Sequence, residues 1–153
     1  MKVRLILVGR SERGLVSDGL AHYLKRVDRF WPVEEVVVPE AGRGDPGYQQ
    51  RVEGERILAH VKPGERLVAL DERGRAFTSP QFAAHLGAWR DQGVRQVVFV
   101  VGGAFGLADA VRSRADLVLA LSAMTFPHQL VRVLFAEQLY RATTILQGSP
   151  YHH

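Results

Sequence analysis

Two kinds of hydrophobic pattern alternate along the chain. Short runs of aliphatic and β-branched residues, which are typical of buried strands, occupy residues 2–8, 33–39, 66–70, 96–101 and 116–121. Between them, apolar residues recur at the spacing of amphipathic helices, which predicts helices over residues 16–27, 48–61, 79–92, 109–114 and 127–146. The pattern therefore predicts strands and helices in strict alternation.

This alternation indicates an α/β fold with a mainly parallel sheet of five or six strands. Residues 96–101 carry four valines and a phenylalanine, so this strand is expected at the centre of the sheet with both faces covered. Residues 71–74 have the composition of a turn, and Ser79 is expected to cap the third helix, with Pro80 at its first position. Ligands of such folds bind at the carboxyl ends of the strands.

The last predicted helix is apolar on nearly every side. Its apolar residues are Leu130, Val131, Val133, Leu134, Phe135, Ala136, Leu139, Tyr140, Ala142 and Ile145. A helix with so little polar surface needs more than one neighbour to cover it. In a chain this small a second subunit is the expected cover, which predicts a homodimer.

Composition restricts the class of protein. With 153 residues, 46% hydrophobic and 24% charged, the chain is expected to form one folded domain over residues 1–153. The absence of cysteine excludes disulfides, thiolate nucleophiles and cysteine-ligated metals, so no metal is expected and a reducing cytoplasm fits best. Neither a secretory leader nor an apolar run long enough to span a membrane is predicted, and no membrane partner is expected.

The positive charge of the chain comes almost entirely from arginine. The net charge is +4, and only three of the 20 basic residues are lysines, which leaves 17 arginines. The planar guanidinium binds phosphate with two hydrogen bonds and stacks on bases, so the excess favours nucleic acid as a partner. Codon bias or adaptation to heat would produce the same excess. The net charge is also modest for a nucleic-acid-binding protein unless two subunits share one surface.

The first strand-to-helix turn, residues 9–14, is where a Rossmann-type protein binds a dinucleotide. It lacks the G-x-G-x-x-G spacing, and its G-x-x-x-x-G is not followed by the Lys and Ser or Thr of a P-loop. Glu40, after the second strand, could bind a ribose, so a small nucleotide-dependent enzyme is one alternative. A cofactor site is otherwise expected further along the chain.

Three later loops are better candidates for ligand binding. Leu70-Asp71, residues 102–106 and residues 121–126 each follow a predicted strand, so they are expected at one edge of the sheet. Glycines directly after a strand let a ligand approach the backbone, and the loop Leu-Ser-Ala-Met-Thr-Phe offers backbone polar groups between apolar side chains. Such walls suit an adenine and a thioether. The alternative is that these segments are only tight turns that satisfy their own backbone.

The C-terminal third of the chain resembles a known family. Residues 121–142, Leu-Ser-Ala-Met-Thr-Phe-Pro-His-Gln-Leu-Val-Arg-Val-Leu-Phe-Ala-Glu-Gln-Leu-Tyr-Arg-Ala, and the ending Gly-Ser-Pro-Tyr-His-His resemble the RlmH family of ribosomal RNA methyltransferases. Phe-Val-Val-Gly-Gly at residues 99–103 and Leu-Val-Ala-Leu-Asp at residues 67–71 are similar to two further motifs of the family. The resemblance implies a SPOUT-class homodimer, in which a trefoil knot at the C-terminal end of the parallel sheet holds S-adenosylmethionine. The knot rests on the resemblance alone, because chains are as a rule unknotted.

The resemblance also implies an activity and a set of site residues. The family methylates N3 of a pseudouridine in helix 69 of 23S rRNA and acts on assembled ribosomes. The residues that correspond to its cofactor site are Leu70, Gly102, Leu121, Ser122, Ala123, Met124, Thr125 and Phe126. Phe105 departs from the family, in which an acidic or other polar residue is common in the Gly-Gly-x-x-Gly turn.

N3 of a pseudouridine carries a weakly acidic proton, which must leave before or during attack on the methyl group. His128, at the start of the last helix, is either the proton acceptor or a histidine bonded to backbone. By resemblance, Tyr151 and His152 reach the partner's cofactor pocket, where Tyr151 stacks on the base and His152 takes the proton. A frayed terminus is the alternative for these two residues.

Four arginines are candidates for RNA contacts. Arg132 and Arg141, on the last helix, are expected either to face RNA phosphates or to pair with Glu137. Arg10 and Arg13 lie in the first strand-end loop. A basic chain without a cofactor pocket would be a non-enzymatic ribosome-binding module, which is the second alternative. Binding of S-adenosylmethionine separates this module from the methyltransferase.

Overall fold

The computed structural model describes residues 1–153 and contains five strands and five helices in strict alternation. The strands are β1 (Lys2–Val8), β2 (Val33–Val38), β3 (Arg66–Ala76), β4 (Gln96–Val101) and β5 (Leu117–Ala120). The helices are α1 (Leu15–Asp28), α2 (Pro46–Leu58), α3 (Ser79–Asp91), α4 (Asp109–Arg114) and α5 (His128–Gln147). Every predicted element is present, most of them within two residues of the predicted ends.

The five strands form one sheet in the order β2-β1-β4-β3-β5, and all neighbouring pairs are parallel. The α/β class is therefore confirmed, with five strands rather than six. β4 is central, as its valines predicted, because β1 and β3 pair with its two edges and only Gln96 is not buried. Parallel pairing places the carboxyl ends of all strands at one edge of the sheet.

Helices cover both faces of the sheet. On one face, α1, α3 and α5 pack around Phe82, Phe99 and Phe135, whose ring centroids are 4.9 to 6.4 Å apart. On the other face, Ile57 of α2 and Val111 of α4 pack against β1, β3 and β4. Burying one such side chain contributes about 1.5–3 kcal/mol, so the two layers are a main source of stability.

The apolar helix α5 packs against α1 and α3 of its own chain and also contacts β4. Phe135, Ala136 and Leu139 are buried there, whereas Leu130 and Val133 are half-buried. Much of the cover that was expected from a second subunit therefore comes from the same chain, because α1 and α3 flank the helix. The homodimer and the trefoil knot stay predictions.

The predicted end of β3 was wrong. The strand continues through residues 71–74, which were expected to form a turn, and ends at Ala76. Its register against β5 shifts between Leu70 and Arg75, so the turn-like residues form a bulge inside the strand. Gly74 is needed at this point because a Cβ there would lie 2.5 Å from Val118 O. The same composition that predicts a turn is thus used to bend a strand.

The predicted cap of α3 was wrong by one residue. Thr78 caps the helix, since its Oγ1 accepts from Gln81 N at 3.2 Å while Gln81 Oε1 accepts from Thr78 N at 2.9 Å. Ser79 is instead the first helical residue, and its Oγ donates to Gln138 Oε1 on α5 at 2.6 Å. Pro80 consequently occupies the second helical position, where its missing N–H is still tolerated.

None of the helices is both long and apolar enough to cross a membrane. No group of three or more His, Asp or Glu side chains is placed to hold a metal ion.

Candidate active site

A cavity of about 470 Å³ lies at the carboxyl ends of β3, β4 and β5, where the sequence predicted the ligand site. Small-molecule sites typically enclose about 300–1,000 Å³. His128 and Val131, in the first turn of α5, also line this cavity. Seven of the predicted cofactor residues line it, namely Leu70, Gly102, Leu121, Ser122, Met124, Thr125 and Phe126. Ala123 is exposed in the same loop and is not part of the lining.

The turn after β4 presents backbone to the cavity. Gly106 N donates to Gly103 O at 3.0 Å, which closes the turn. A Cβ on Gly102 would lie 3.0 Å from the carbonyl carbon of Gly106 and 3.0 Å from Leu107 Cδ2, so this position has no room for a side chain. Phe105 is 46% exposed at the tip of the turn and lines the cavity, and its carbonyl accepts a hydrogen bond from the Gln50 amide.

The loop 121–126 forms the wall opposite to this turn. Met124 N donates to Ser122 Oγ at 3.0 Å, which fixes the bend of the loop. Thr125 Oγ1 donates to Glu72 Oε2 at 2.9 Å and so joins the loop to the bulge of β3. The Met124 side chain is 74% exposed at the rim of the cavity. The loop therefore offers backbone groups and apolar side chains, as its sequence predicted.

Asp71 lies at the base of the β3 bulge with a side chain only 7% exposed. Burial alone would raise the pKa of Asp71, but the side-chain and backbone hydrogen bonds from Arg73 and the charges of Arg73 and Arg112 outweigh it and lower that pKa. The Asp71 carboxylate lies 3.1 Å from Arg73 Nε and 3.4 Å from Arg112 Nη1. Sequence reasoning assigned no role to this network, although an acidic residue two positions before an arginine at a strand end is a usable signal.

Replacing Asp71 by asparagine is expected to destabilise the chain by about 1–3 kcal/mol at neutral pH, because charged hydrogen bonds are lost. The native pKa of Asp71 is below its ordinary value of 3.8, so the stabilisation is present above that value and is lost as pH falls below it. The wild-type advantage in urea unfolding should therefore shrink at about pH 3. An advantage that stays constant on acidification would show that the carboxylate charge is unimportant.

Comparison with known proteins identifies the family of the chain. A family model described as "Predicted SPOUT methyltransferase" matches residues 1–152. The chain belongs to the SPOUT methyltransferase family. Proteins named "Ribosomal RNA large subunit methyltransferase H" from Trichlorobacter lovleyi and Cereibacter sphaeroides are 45% and 47% identical to it, and the alignments cover at least 99% of each chain. These relatives confirm the resemblance to the RlmH family, and membership makes the chain an enzyme rather than a non-enzymatic module.

A solved structure shows the same fold at low identity. A probable methylase family protein from Haemophilus influenzae superposes on this SPOUT methyltransferase with a TM-score of 0.54 at 12% identity. The match covers 95% of this chain and 66% of that chain.

The first-turn site of a nucleotide-dependent enzyme, which was one alternative, is not where the cavity lies. Glu40 instead packs so closely over Gly9 that a Cβ on Gly9 would lie 2.5 Å from Glu40 Oε1.

The chain end of this SPOUT methyltransferase packs on its own α5 and does not line the cavity. Tyr151 OH donates to Glu137 Oε1 at 3.0 Å, and the Tyr151 ring lies 4.8 Å from that of Tyr140. The Arg141 guanidinium lies 4.9 Å from the centre of the Tyr151 ring and 3.1 Å from His152 Nδ1. Tyr151 and His152 thus have defined partners, in contrast to a frayed end. Contact with a partner's pocket stays a prediction.

Burial and the hydrogen bond to Glu137 raise the pKa of Tyr151 to about 12. The native pKa exceeds the ordinary value of 10.0, so the stabilisation is complete below pH 10 and is lost as pH rises to 12. An ultraviolet difference titration between wild type and Tyr151→Phe should show one tyrosine ionising near pH 12. A difference transition near pH 10 instead would contradict the contact with Glu137.

The two arginines of α5 differ in their surroundings. Arg141 pairs with Glu137, with 2.6 Å between Nη2 and Oε1, which confirms the second of its two expected roles. Arg132 neither faces solvent nor pairs with Glu137, so both expectations for it were wrong. Its side chain is turned inward, towards the carbonyls at the end of β1. Arg10 and Arg13 are exposed, as the sequence predicted for residues of a loop.

Proposed function

We propose that this SPOUT methyltransferase transfers a methyl group from S-adenosylmethionine to N3 of a pseudouridine in helix 69 of 23S rRNA, on the assembled ribosome in the cytoplasm. The proposal rests on one observation. Seven residues from the three motifs that resemble the RlmH family line the same strand-end cavity. The rRNA substrate is supported by the names of the full-length relatives. The position of methylation rests on the resemblance of the motifs.

The cavity fits S-adenosylmethionine in size and in the chemistry of its walls. Gly102 lines the cavity without a side chain, at a position where a Cβ would not fit, and the loop 121–126 adds further backbone groups. Phe105, Met124 and Leu121 supply apolar surface for an adenine and for the carbon atoms around sulfur. When bound, the cofactor supplies its methyl group on an electrophilic sulfonium. The Gly102 turn and the loop 121–126 bind and orient it, and the apolar walls exclude water.

Proton removal from N3 requires little help from the protein. If the pKa of N3 lies about two units above neutral pH, the anion costs roughly 2.7 kcal/mol. Holding donor and acceptor in line contributes about 7–11 kcal/mol, so a strong base is not required. His128 lines the cavity and is one candidate for the proton acceptor.

The second candidate comes from a partner subunit. In the proposed homodimer, the chain end of one protomer reaches the cavity of the other. Tyr151 suits a stacking role, because its flat aromatic ring can lie against a base while its hydroxyl keeps a hydrogen-bond partner. His152 Nδ1 accepts from Arg141 Nη1 at 3.1 Å, so in this contact Nε2 carries the hydrogen. His152 takes the proton of N3 on Nδ1 once the chain end has left Arg141 for the partner's cavity.

The cofactor proposal is tested by calorimetric titration of the purified protein with S-adenosylmethionine. Saturable binding is expected for the wild-type protein. Gly47→Ala is a control variant that should bind equally well, because Gly47 lies in α2 and a Cβ there makes only an ordinary contact, 3.4 Å from Asp45 Oδ1. Absence of binding by folded protein would overturn the proposed donor.

A further inference from the structure

A fully buried arginine connects α5 to the end of β1. Arg132 has no exposed surface and forms no ion pair with an acidic side chain. Its Nη2 donates to Val8 O at 2.6 Å, and its Nη1 donates to Gly9 O at 2.9 Å and to Ser11 Oγ at 3.0 Å. A buried charge is costly unless it is well bonded. The three hydrogen bonds to residues 8–11 therefore indicate that the Arg132 side chain serves to hold this segment in place.

Gln129, one turn earlier on α5, binds the same segment at two further residues. Its Oε1 accepts from Glu12 N at 3.0 Å, and its Nε2 donates to Arg10 O at 3.1 Å. Residues 9, 10 and 12 of the 9–13 loop are thus attached to α5 through their backbone atoms, and Ser11 is attached through its hydroxyl. Backbone partners fix the path of the loop without occupying the side chains of Arg10 and Arg13, which are exposed.

The attachment holds the 9–13 loop on the two turns of α5 that also carry lining residues of the cavity. His128 and Val131, which line the cavity, are the immediate neighbours of Gln129 and Arg132 in the first two turns of α5. Arg10 and Arg13 are exposed on the loop. A guanidinium that is held at a fixed position can bind a phosphate with two hydrogen bonds at low cost in conformational entropy.

We propose that Arg132 and Gln129 are positioning residues that hold the 9–13 loop as a phosphate-binding arm, so that Arg10 and Arg13 bind the backbone of the RNA whose base enters the cavity. This inference rests on the proposed RNA substrate. In this proposal the 9–13 loop binds the RNA substrate. Gln129 and Arg132 only position the loop and do not themselves contact RNA.

The test measures how binding to unmodified ribosomes depends on salt, in the full-length protein. The slope of log affinity against log salt should fall by about 1.4–1.8 in Arg10→Ala/Arg13→Ala, because each phosphate contact contributes about 0.7–0.9. Gln129→Ala should weaken ribosome binding by about tenfold and leave binding of S-adenosylmethionine unchanged, since two hydrogen bonds of the loop are lost. Adding Gln129→Ala to the double arginine variant should cause no further loss, because neighbours that act through each other are not additive.

Matched variants separate positioning from folding. Thr143→Val removes another buried polar group of α5, whose Oγ1 donates only to Tyr140 O, and should leave ribosome binding unchanged. Arg132→Lys should behave as Gln129→Ala does, and Gln129→Ala keeps the test valid if Arg132→Lys does not fold. Hydrogen exchange of the amides of residues 10–13 should rise in Gln129→Ala without RNA present.

The outcomes distinguish this inference from the proposed function. If the wild type does not bind ribosomes, the proposed function fails. If the wild type binds ribosomes and the salt slope of Arg10→Ala/Arg13→Ala is unchanged, only the phosphate-binding arm is refuted. An additive loss in the triple variant would refute the positioning role of Gln129.

Discussion

Replacing Gly102 by valine is expected to weaken binding of S-adenosylmethionine by about 10- to 100-fold and to leave the chain folded. The physical reason is steric, because a Cβ at this position already lies 3.0 Å from the Gly106 backbone and 3.0 Å from Leu107. Accommodating a larger residue in a packed site costs about 1–3 kcal/mol, and here the turn that lines the cavity must move. Calorimetric titration measures the affinity, and circular dichroism confirms the fold.

Gly47→Ala is the matched glycine replacement for this experiment. Its added Cβ makes an ordinary contact in α2, remote from the lining of the cavity, so wild-type affinity is expected. Wild-type affinity in Gly102→Val would mean that the cofactor binds elsewhere, and the assignment of the cavity would have to be withdrawn.

Removing residues 151–153 is expected to lower methyl transfer by about 100-fold, because the N3 anion then has to form without a base at a cost of roughly 2.7 kcal/mol. Binding of S-adenosylmethionine should be retained, because neither Tyr151 nor His152 lines the cavity of its own chain. Single-turnover transfer to unmodified ribosomes measures the effect. Full activity of the shortened protein would exclude the chain end from catalysis.

Point variants separate the two candidate proton acceptors. His152→Gln keeps a hydrogen-bonding side chain beside Arg141 but cannot take the proton of N3 at neutral pH. His128→Gln makes the same change in the lining of the cavity. Replacing the histidine that accepts the proton should lower the rate of methyl transfer and change how that rate depends on pH. A variant that lowers the rate only by disturbing the packing should keep the pH profile of the wild type.

The strands and the place of the cavity were predictable from local sequence. β-branched runs such as residues 96–101 mark buried strands, and parallel strands bring their carboxyl ends to one edge. Leu70, Gly102 and the loop 121–126 were therefore expected together before their contacts were known. The bulge of β3 was missed, because residues 71–74 look like a turn and only the pairing with β5 draws them into a strand.

The surroundings of single polar side chains were not predictable in the same way. Arg132 lies among apolar residues in the sequence of α5, and these neighbours do not indicate that its side chain binds the carbonyls at the end of β1. Asp71 binds Arg73 close by in the chain, but its second arginine partner, Arg112, is 41 residues away. Such contacts depend on the packing of distant elements, and neither helical periodicity nor turn composition contains that information.

The most direct test of the account is transfer of a labelled methyl group from S-adenosylmethionine to ribosomes that lack the modification, followed by mapping of the product by nuclease digestion and mass spectrometry. The account predicts one methyl group per ribosome, at N3 of a pseudouridine in helix 69. Methylation of a different nucleotide, or no transfer by protein that binds the cofactor, would contradict it.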